Sequence, residues 1–472
     1  MNQSAQPLDT LIQELSAIVG QERVSTDLGD LEAYGRDWTR VYAPAPCAVV
    51  FPASTEEVAG IVKLCAERGQ TIVPSGGRTG LAAGAVAKEG ELVLSLDRLN
   101  FIDEPCPLAR TVKVGAGAIT GEVHEKTKAV GLTWPVDFAS AGSSQIGGNI
   151  ATNAGGIRVV RYGLTRQWVL GLTVVTAEGD ILYLNGELEK NNTGFDLRQV
   201  FIGTEGTLGI ITEVILKLDV LPQAEAVGFL GIEGIKEALE VFKHARQMPG
   251  LTIRAFEYLQ RPCLDAVIKH RGASDPFEAP YGAYILVEVE GSTEEQARDS
   301  LEAWLERSFE DELVLDGVVG QSSKDNENLW TLREGISESL THEAFLYKYD
   351  VSMNIRDLAA FEDALTDVLR TLSPELRVYL FGHIGDGNLH VNILKPESMS
   401  KETFLETCHQ NDPHLYKLIN DFAGSVSAEH GIGLLKKSAL PYSRSRVELE
   451  YFRKLKSIFD PHQILNPGKI ID

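Results

Sequence analysis

Glycine is concentrated at two points in the first half of the chain, and this limits the possible fold more than any other feature. Four glycines fall within residues 76–84, directly after an apolar run, and five more fall within residues 142–156. Glycine weakens helix and strand interiors, so a packed core gains nothing from this density. Successive backbone N–H groups in glycine-permitted conformations can instead form a concave nest for an anion such as a pyrophosphate. Either stretch alone is also compatible with ordinary turns, but two in one domain favour a large phosphorylated cofactor.

The first glycine stretch, Pro74–Gly80, matches neither of the common nucleotide-binding motifs. It lacks the G-x-G-x-x-G of dinucleotide-binding folds, and no G-K-[ST] ends it as in a P-loop. The preceding sequence predicts a strand at Ala48–Phe51, a helix opened by a capping box at Ser54–Glu57, and a strand at Thr71–Val73. The glycines therefore follow the second strand of a β-α-β unit.

Length and charge exclude several classes of protein. The chain has 472 residues, a net charge of −23 and 43% hydrophobic residues. At roughly 150 residues per domain, this length predicts two domains that can each bury a full core. A strongly acidic surface repels phosphate backbones and acidic membranes, so nucleic acid and lipid are not expected as primary partners. Charged residues interrupt the apolar runs before the roughly 20 residues of a membrane span.

The cysteines and the N-terminus bear on the cellular compartment. The five cysteines are isolated, without a C-x-x-C pair, which argues against a disulfide framework or a thiolate zinc site. Residues 1–7 lack the basic and apolar regions of a signal peptide. We therefore expect a cytoplasmic protein.

Hydrophobic periodicity predicts the domain organisation. Residues 8–20 have the spacing of an amphipathic helix, and 169–182 alternate like a hairpin around Glu178-Gly179-Asp180. After residue 221 helical patterns alternate with apolar strands, which predicts a second α+β domain. The helical patterns are 234–247, 294–308, 325–345 and 357–372, and the strands lie around Tyr284–Val289 and Val378–Phe381. The predicted domains are a helical segment at 1–42, a first domain at 43–221 and a second at 222–472, with a tail from about 455 that returns to the first domain.

The most informative segment of the second domain is Phe381–Asn392. Asp386-Gly387 is a type I′ hairpin signal, and with these residues as the turn, cross-strand partners have numbers that sum to 773. His383 and His390 would then face each other with Cβ atoms roughly 4.5–5.5 Å apart, within chelating reach of one ion. Asn392 would share their face. A chance pair in a hairpin remains the alternative.

A third ligand would turn this pair into a metal site. Ser427–Gly433 offers Glu429 and His430 side by side among small residues, a carboxylate ligand next to a base. Two histidines and one carboxylate with an open position form a catalytic zinc pattern, although the set also suits non-haem iron. The remaining histidines lie in helical or turn patterns without such company, and we interpret them as structural or solvated.

Cations in the second domain bear on the substrate. Arg333 and Ser337 are four residues apart on the 325–345 pattern and would share a helix face, and Lys348 follows in Tyr347–Asp350. Such side chains can bind a carboxylate. They are equally compatible with solvated or ion-paired positions.

Three segments together resemble the FAD domain of the vanillyl-alcohol oxidase / p-cresol methylhydroxylase superfamily: Pro74–Gly80, Gly142–Gly156 and Phe201–Ile211. The likeness runs over nearly the whole chain. It implies an α+β, two-domain flavoprotein with an N-terminal FAD-binding domain of p-cresol methylhydroxylase (PCMH) type and a C-terminal α+β substrate or cap domain. The first two segments would cradle the FAD pyrophosphate, and Ile211 would lie against the adenine. The resemblance implies these cofactor-binding residues: Pro74, Ser75, Gly76, Gly77, Arg78, Thr79, Gly80, Pro135, Gly142, Ser143, Ser144, Gly147, Gly148, Asn149, Thr152, Asn153, Gly155, Gly156, Glu205, Gly206, Gly209, Ile211 and Asn466.

The same resemblance bears on how FAD is held. Members that link flavin covalently often carry histidine just after the Gly-Gly pair, where this chain has Arg78. Noncovalent FAD is therefore expected. The C-terminal run Phe459–Lys469 also matches the superfamily, in which the chain end folds back and Asn466 would contact the flavin. Its Asp-Pro and Asn-Pro pairs would by themselves indicate a surface turn.

The histidine segments look like the C-terminal domain of FAD-dependent D-2-hydroxyacid dehydrogenases. In that family His383, His390 and Glu429 would bind zinc, or another divalent metal, and His430 would be the base that removes the hydroxyl proton. The resemblance is strongest to D-2-hydroxyglutarate dehydrogenases. It implies that Arg333, Ser337 and Lys348 hold the distal carboxylate and that Asn392 and His430 also contact the substrate. Ser337 replaces the family's Thr, which puts the shape of the pocket in doubt.

The expected reaction is FAD- and zinc-dependent oxidation of D-2-hydroxyglutarate to 2-oxoglutarate. No cysteine cluster or haem motif supplies a second redox centre, so an external acceptor is required, such as an electron-transfer flavoprotein. A homodimer is an expectation with no motif behind it. The alternatives are the same chemistry on D-lactate, glycolate or D-malate, a non-catalytic flavin-binding subunit of a hydroxyacid-oxidising complex, and a sugar or aromatic-alcohol oxidase with covalent FAD.

Overall fold

The structure is a computed structural model that describes residues 8–471. Residues 1–7, which belong to the predicted N-terminal segment and on which the signal-peptide argument rests, lie outside the described residues, as does Asp472. The α-helices are α1 Leu8–Val19, α2 Leu28–Tyr34, α3 Thr55–Arg68, α4 Thr120–Lys128, α5 Ile146–Ala151, α6 Val159–Tyr162, α7 Arg198–Phe201, α8 Ile235–Gln247, α9 Arg261–Arg271, α10 Glu294–Glu310, α11 Ser323–Glu334, α12 Ile336–Glu343, α13 Leu358–Leu372, α14 Lys401–Asp421 and α15 Arg446–Phe459.

The strands are mostly short in the first half of the chain and longer in the second. They are β1 Val24–Ser25, β2 Ala48–Val50, β3 Ile72–Ser75, β4 Leu92–Ser95, β5 Thr111–Gly115, β6 Leu132–Thr133, β7 Val169–Val175, β8 Ile181–Leu184, β9 Ile210–Lys217, β10 Asp219–Val220, β11 Ala224–Ile232, β12 Thr252–Gln260, β13 Ala283–Gly291, β14 Asp316–Val319, β15 Leu346–Ser352, β16 Arg377–Gly382 and β17 Asn388–Leu394. The contacts divide the chain into two units. Among the described residues, the cleft unit comprises 8–155, 164–221 and 429–471, and the sheet unit comprises 156–163 and 222–428. The domain limits drawn from the sequence stay predictions.

The cleft unit contains two four-stranded sheets and a two-stranded one. In the first, β2 and β3 both pair in parallel with β4, so the β-α-β reading of this segment is confirmed. Ser54 caps α3 by accepting a hydrogen bond from the N–H of Glu57, and the buried face of the helix carries the predicted apolar residues. The second sheet has the order β5-β9-β7-β8 and is antiparallel, with β7 and β8 forming the predicted hairpin. The C-terminal chain pairs with β3, since Ile72 and Leu465 form a parallel bridge.

The sheet unit is built on one seven-stranded antiparallel sheet with the order β14-β11-β13-β12-β16-β17-β15. Its central strands are almost continuously apolar and buried, as expected where helices cover a sheet. Strands β12, β16, β17 and β15 lie side by side, and this order brings residues from distant parts of the sequence to one region. The predicted helices at 234–247, 294–308 and 357–372 are present as α8, α10 and α13.

The predicted helix at 325–345 is two helices, which corrects one step of the substrate argument. The chain forms α11 and α12, with Gly335 between them. Arg333 therefore ends one helix and Ser337 lies in the next, and four-residue spacing alone does not place them on one face. Arg333 is buried, whereas Ser337 is exposed. Glycine costs roughly 1 kcal/mol in a helix interior, which is consistent with a break at this point.

None of the helices within residues 8–471 is long and apolar enough to cross a membrane.

Candidate active site

The hairpin β16–β17 does not have the predicted register. Phe381, not His383, pairs with His390, and all partners sum to 771. The loop spans residues 383–387, and of Asp386 and Gly387 only Gly387 has a positive φ, of 89°. A type I′ turn needs positive φ at both central residues, so the two-residue turn is excluded. The predicted cross-strand pairing of the two histidines is therefore wrong.

The two imidazoles nevertheless meet. His383 is the first residue of the loop, and its Nε2 lies 3.4 Å from Nε2 of His390, with ring centroids 5.2 Å apart and planes at 85°. Two nitrogens of the same type that converge on one point suit shared coordination of a metal ion, for which imidazole nitrogen is a common ligand. The residues present thus fit a divalent metal at this position.

Buried carboxylates hold the outer nitrogen of each ring. Glu257, in the middle of β12, is completely buried and accepts hydrogen bonds from Nδ1 of His383 at 2.7 and 2.8 Å. Asp350 lies opposite His390 in the β15–β17 register, with Oδ1 3.6 Å from Nδ1 of His390 and 2.9 Å from Nδ2 of Asn388. Carboxylates behind histidine ligands orient the rings and raise their basicity in metal sites.

Glu257 also contacts Arg333. Nη2 of Arg333 lies 2.6 Å from Oε2 of Glu257, and the guanidinium stacks over Phe381 with its carbon 4.8 Å from the ring centroid. The contact is an ion pair between two buried groups. Nε and Nη2 have no hydrogen-bond acceptor among the described residues. Burial would raise the pKa of Glu257, but the neighbouring His383 and Arg333 outweigh it, and the net effect is a lowered pKa.

The sequence reasoning missed both carboxylates. Glu257 was visible in the sequence as one acidic residue inside the apolar run Ala255–Leu259. A glutamate in such a run is almost never fully buried unless its charge is paired. Asp350 is the last residue of the Tyr347–Asp350 run, in which only Lys348 was given a role. Neither can be paired with its histidine from sequence spacing, because each partner comes from another strand.

Two further predicted substrate residues, Lys348 and Asn392, lie on β15 and β17. In the β15–β17 register, Lys348 lies opposite Asn392 and Asp350 lies opposite His390. The two positions on each strand are two residues apart, so all four side chains lie on the same face of the sheet. Lys348 is exposed and has no acidic partner among the described residues, and neighbouring atoms lower its pKa by partial desolvation. Asn392 is buried, and its Nδ2 donates to the backbone oxygens of Tyr379 and His390 at 3.4 and 3.3 Å.

The segment that leads to Glu429 runs along β15. Ser425 bridges to Ser352, and the N–H of Ala428 donates to the carbonyl of Asp350 at 3.2 Å. Asp350 is the residue opposite His390. Glu429 is the next residue in the chain, at the point where the division between the units falls.

The cleft unit contains a cleft of about 920 Å³, part of it continuous with solvent. Many of the predicted cofactor residues line it: Pro74, Gly76, Gly77, Arg78, Thr79, Gly80, Gly147, Gly148, Asn149, Thr152, Glu205, Gly206, Gly209 and Ile211, together with His430. The predicted residues outside this lining are Ser75, Pro135, Gly142, Ser143, Ser144, Asn153, Gly155, Gly156 and Asn466. Lining residues that were not predicted are Ala82, Gly84, Ala85, Leu96, Gln145, Ala151 and Ile210.

Close backbone approach explains why glycine is needed here. A Cβ on Gly77 would lie 2.3 Å from the carbonyl oxygen of Ser143, so the two glycine-rich segments touch through their backbones at this point. A Cβ on Gly142 would meet nothing within 4 Å. Arg78 adopts a positive φ of 57°, and its Nη1 donates to the carbonyl of Gly76 at 2.6 Å. The cleft wall is thus backbone and small residues, which fits a cofactor bound through its phosphates.

Glu205 connects the cleft to the loop that follows His430. Its buried carboxylate accepts hydrogen bonds from the N–H groups of Ile432 and Gly433 at 2.7 and 2.8 Å. Asn466, with a positive φ of 43°, donates to the carbonyls of Gly84 and Glu205 at 3.0 and 2.6 Å. Asn466 therefore supports the lining residues, while the Oδ1 atom of its amide is buried without a hydrogen bond.

Two family models match this chain, one in each half of the sequence. Residues 46–185 match a family model described as FAD binding domain, and residues 221–470 match one described as FAD linked oxidases, C-terminal domain. D-2-hydroxyglutarate dehydrogenase from Stutzerimonas stutzeri is 46% identical over 98% of each chain. The enzyme of the same name from Xanthomonas citri is 45% identical, over 98% of this chain and 97% of its own. The chain belongs to the D-2-hydroxyglutarate dehydrogenase family.

The family extends to mitochondrial members. D-2-hydroxyglutarate dehydrogenase from Bos taurus is 38% identical over 95% of this chain and 81% of its own. The chain is therefore a member of a family of FAD-dependent oxidoreductases, and the predicted resemblance is confirmed. The mitochondrial relatives mean that a cytoplasmic location stays a prediction.

Solved structures confirm the fold. p-Cresol methylhydroxylase superposes with a TM-score of 0.76 at 18% identity, covering 98% of this chain and 97% of that one. Alkyldihydroxyacetonephosphate synthase superposes with a TM-score of 0.72 at 17% identity, covering 99% and 86%. This chain has the two-domain FAD-oxidase architecture, and the predicted α+β, PCMH-type fold is confirmed.

Proposed function

We propose that this member of the family oxidises D-2-hydroxyglutarate to 2-oxoglutarate, with noncovalent FAD as hydride acceptor and zinc, or another divalent metal, held by His383, His390 and Glu429. The carrying observation is the pair of Nε2 atoms of His383 and His390, 3.4 Å apart, with Arg333 on the carboxylate that holds His383. The names of the curated relatives support the substrate.

The histidines supply two of the three metal ligands through nitrogens that already converge. Glu429 supplies the third; it directly follows Ala428, whose N–H is bonded to the residue opposite His390. When bound, a divalent metal would act as a Lewis acid on the substrate hydroxyl and favour loss of its proton.

His430 is the proposed base for the hydroxyl proton. It lies on the lining of the glycine-rich cleft that binds the cofactor, directly before a loop anchored by Glu205. The two backbone hydrogen bonds to Glu205 fix the direction in which the chain leaves His430. A base needs a held position and an uncharged ring nitrogen to accept a proton efficiently. When bound, FAD would supply the hydride-accepting ring.

Arg333 and Lys348 are the proposed partners of the distal carboxylate, with Ser337 and Asn392 as further contacts. Arg333 is buried with two nitrogens that lack acceptors, and Lys348 has no acidic partner among the described residues. A site built to pair a charged group rejects analogues that lack it by roughly 10⁴–10⁵. D-Lactate and glycolate are therefore expected to be poor substrates, whereas D-malate, one methylene shorter, is harder to exclude.

The reaction would require an external electron acceptor, and we propose an electron-transfer flavoprotein. The proposed FAD is noncovalent, because the position after the Gly-Gly pair is Arg78, whose guanidinium lies over Tyr34 at 4.4 Å and is engaged in the loop itself. A homodimer and a cytoplasmic location also stay predictions.

Anaerobic bleaching of the bound flavin tests the function. D-2-Hydroxyglutarate, D-malate, D-lactate and glycolate are added in turn, with and without a chelator. Fast bleaching by D-2-hydroxyglutarate that the chelator suppresses, with little from the monocarboxylates, is the expected result. Bleaching by lactate or glycolate instead would remove the assigned roles of Arg333 and Lys348. No bleaching by any of the four would favour a non-catalytic subunit, and flavin retained after denaturation would favour a covalent oxidase.

A further inference from the structure

Glu257 is a charged side chain in an apolar strand. It is completely buried between Phe256 and Tyr258, which are also fully buried. Burying an ionised carboxylate costs several kcal/mol unless the charge is paired and its lone pairs are used. Both of its oxygens are engaged: they lie 2.7 and 2.8 Å from Nδ1 of His383, and Oε2 also lies 2.6 Å from Nη2 of Arg333.

On one side, Glu257 determines how His383 is protonated. Both carboxylate oxygens lie within 2.8 Å of Nδ1 of His383. A carboxylate accepts only, so Nδ1 must carry the hydrogen and Nε2 of the neutral ring is left with its lone pair. Nε2 is the atom that faces His390.

On the other side, Glu257 holds Arg333. Oε2 lies 2.6 Å from Nη2, and this contact keeps the guanidinium over Phe381. Nε and Nη2 remain without hydrogen-bond acceptors among the described residues. The carboxylate thus fixes where the guanidinium is and leaves donors for another anion.

We propose that Glu257 is a positioning residue that couples the two halves of the substrate site, orienting His383 towards the metal and Arg333 towards the distal carboxylate. This inference rests on the proposed function and assigns Glu257 a role that joins metal affinity to recognition of a dicarboxylate. One buried carboxylate reaches both groups because β12 pairs with β16, directly after which His383 follows, and because Arg333 in the last turn of α11 contacts Glu257.

Glu257→Gln tests the coupling because glutamine keeps the size and loses the second acceptor. The single amide oxygen of glutamine can accept a hydrogen bond from His383 or lie against Arg333, but it cannot do both. In either orientation the NH₂ group is left facing a donor of the other partner. Residues behind metal ligands typically change metal affinity by 10–100-fold when removed. The matched control is Glu362→Gln, the same change at a half-buried carboxylate in α13. Glu362 accepts a hydrogen bond at 2.6 Å from Gln260, which lies in β12 like Glu257.

The first measurement is zinc affinity of the FAD-loaded protein, stripped of metal and titrated against a chromophoric chelator. Glu257→Gln is expected to bind zinc roughly 10–100-fold more weakly than wild type, and Glu362→Gln equally tightly. Wild type that binds no zinc would refute the proposed function itself. Wild type that binds zinc, with Glu257→Gln binding it as tightly, would overturn the coupling and leave the function standing.

The second measurement is the KM for D-2-hydroxyglutarate at saturating zinc, in a double-mutant cycle with Arg333→Met. Glu257→Gln is expected to raise KM in the wild-type background and to add nothing once Arg333 is gone, because both changes remove one interaction. Additive effects would overturn the link to Arg333. If Glu257→Gln fails to fold, Glu257→Asp replaces it as the test, because aspartate keeps the carboxylate but is one methylene too short to reach His383 and Arg333. Zinc binding as tight as that of wild type in Glu257→Asp would overturn the proposal.

Discussion

The cofactor cleft and the histidine cluster are built on opposite principles. The cleft is formed by backbone: Gly77 meets the carbonyl of Ser143 so closely that no Cβ fits, and much of the lining is glycine or alanine. The histidine cluster is formed by side chains in layers, with Glu257 and Asp350 behind His383 and His390. The first kind of site tolerates changes in side-chain chemistry but not in volume. The second tolerates neither the loss of a ring nor the loss of the charge behind it.

The two units also differ in how closely a buried charge is paired. In the cleft unit Lys469 is completely buried, 3.8 Å from Glu91, and its Nζ has no hydrogen-bond partner among the described residues. In the sheet unit the Glu257–Arg333 contact is 2.6 Å, at the predicted site. A loose buried pair lowers stability, whereas a tight one at a site positions groups for function.

His390→Ala is the substitution with the largest expected effect, and it tests the contrast between the cofactor cleft and the histidine cluster. We expect loss of metal and a fall in turnover of roughly 10³-fold or more, since a metal contributes several kcal/mol to the reaction. FAD should stay bound, because the cleft is built without this side chain. Metal analysis and flavin absorbance on the purified variant measure both quantities. His414→Ala, at an exposed position of α14, is the control. Loss of flavin together with metal would show that the two sites are not independent.

Lys469→Met tests the buried charge of the cleft unit. Burial lowers the pKa of Lys469 from 10.5 to about 8. Between these values the unfolded chain binds more protons than the folded one, so the free energy of unfolding rises with pH from about 8 to about 10.5, by up to about 3 kcal/mol. Denaturant melts of wild type and variant across this range give the difference. A difference that does not change with pH would mean that Lys469 titrates normally.

Gly77→Ala tests whether close approach of the backbone at Gly77 shapes the cleft. Its Cβ would overlap the carbonyl of Ser143, and overpacking of this kind costs about 1–3 kcal/mol. We expect FAD affinity to fall by roughly 10–100-fold, measured by dialysis and flavin fluorescence. Gly142→Ala, whose Cβ meets nothing within 4 Å, should retain wild-type affinity. If both variants bind FAD equally well, close approach at Gly77 is not what shapes the cleft.

Lys348→Ala is the mildest of these changes, because the residue is exposed and solvent screens its charge. We expect the KM for D-2-hydroxyglutarate to rise about tenfold, which corresponds to about 1.4 kcal/mol, and the KM for D-lactate to stay constant. Steady-state kinetics on both substrates decide. Equal losses on both would remove the distal-carboxylate role.

Local pattern was sufficient wherever a feature depends on consecutive residues. The buried face of α3, its Ser54 cap and the β7–β8 hairpin follow from spacing of apolar residues and from turn signals. The break at Gly335 was visible as a glycine in a helical pattern, but sequence alone does not say whether such a glycine ends a helix.

Patterns of consecutive residues were enough to predict the glycine-rich cleft, the resemblance to the flavoprotein superfamily and the choice of His383 and His390 as a pair. How that pair meets depends on tertiary packing. The loop at 383–387 shifts the register so that Phe381 lies opposite His390, and the rings converge through loop geometry instead of strand pairing. The structure also brought Glu257 to His383 and Arg333. Contacts between strands and helices distant in sequence arise from packing, which leaves no spacing for a reader of the sequence to find.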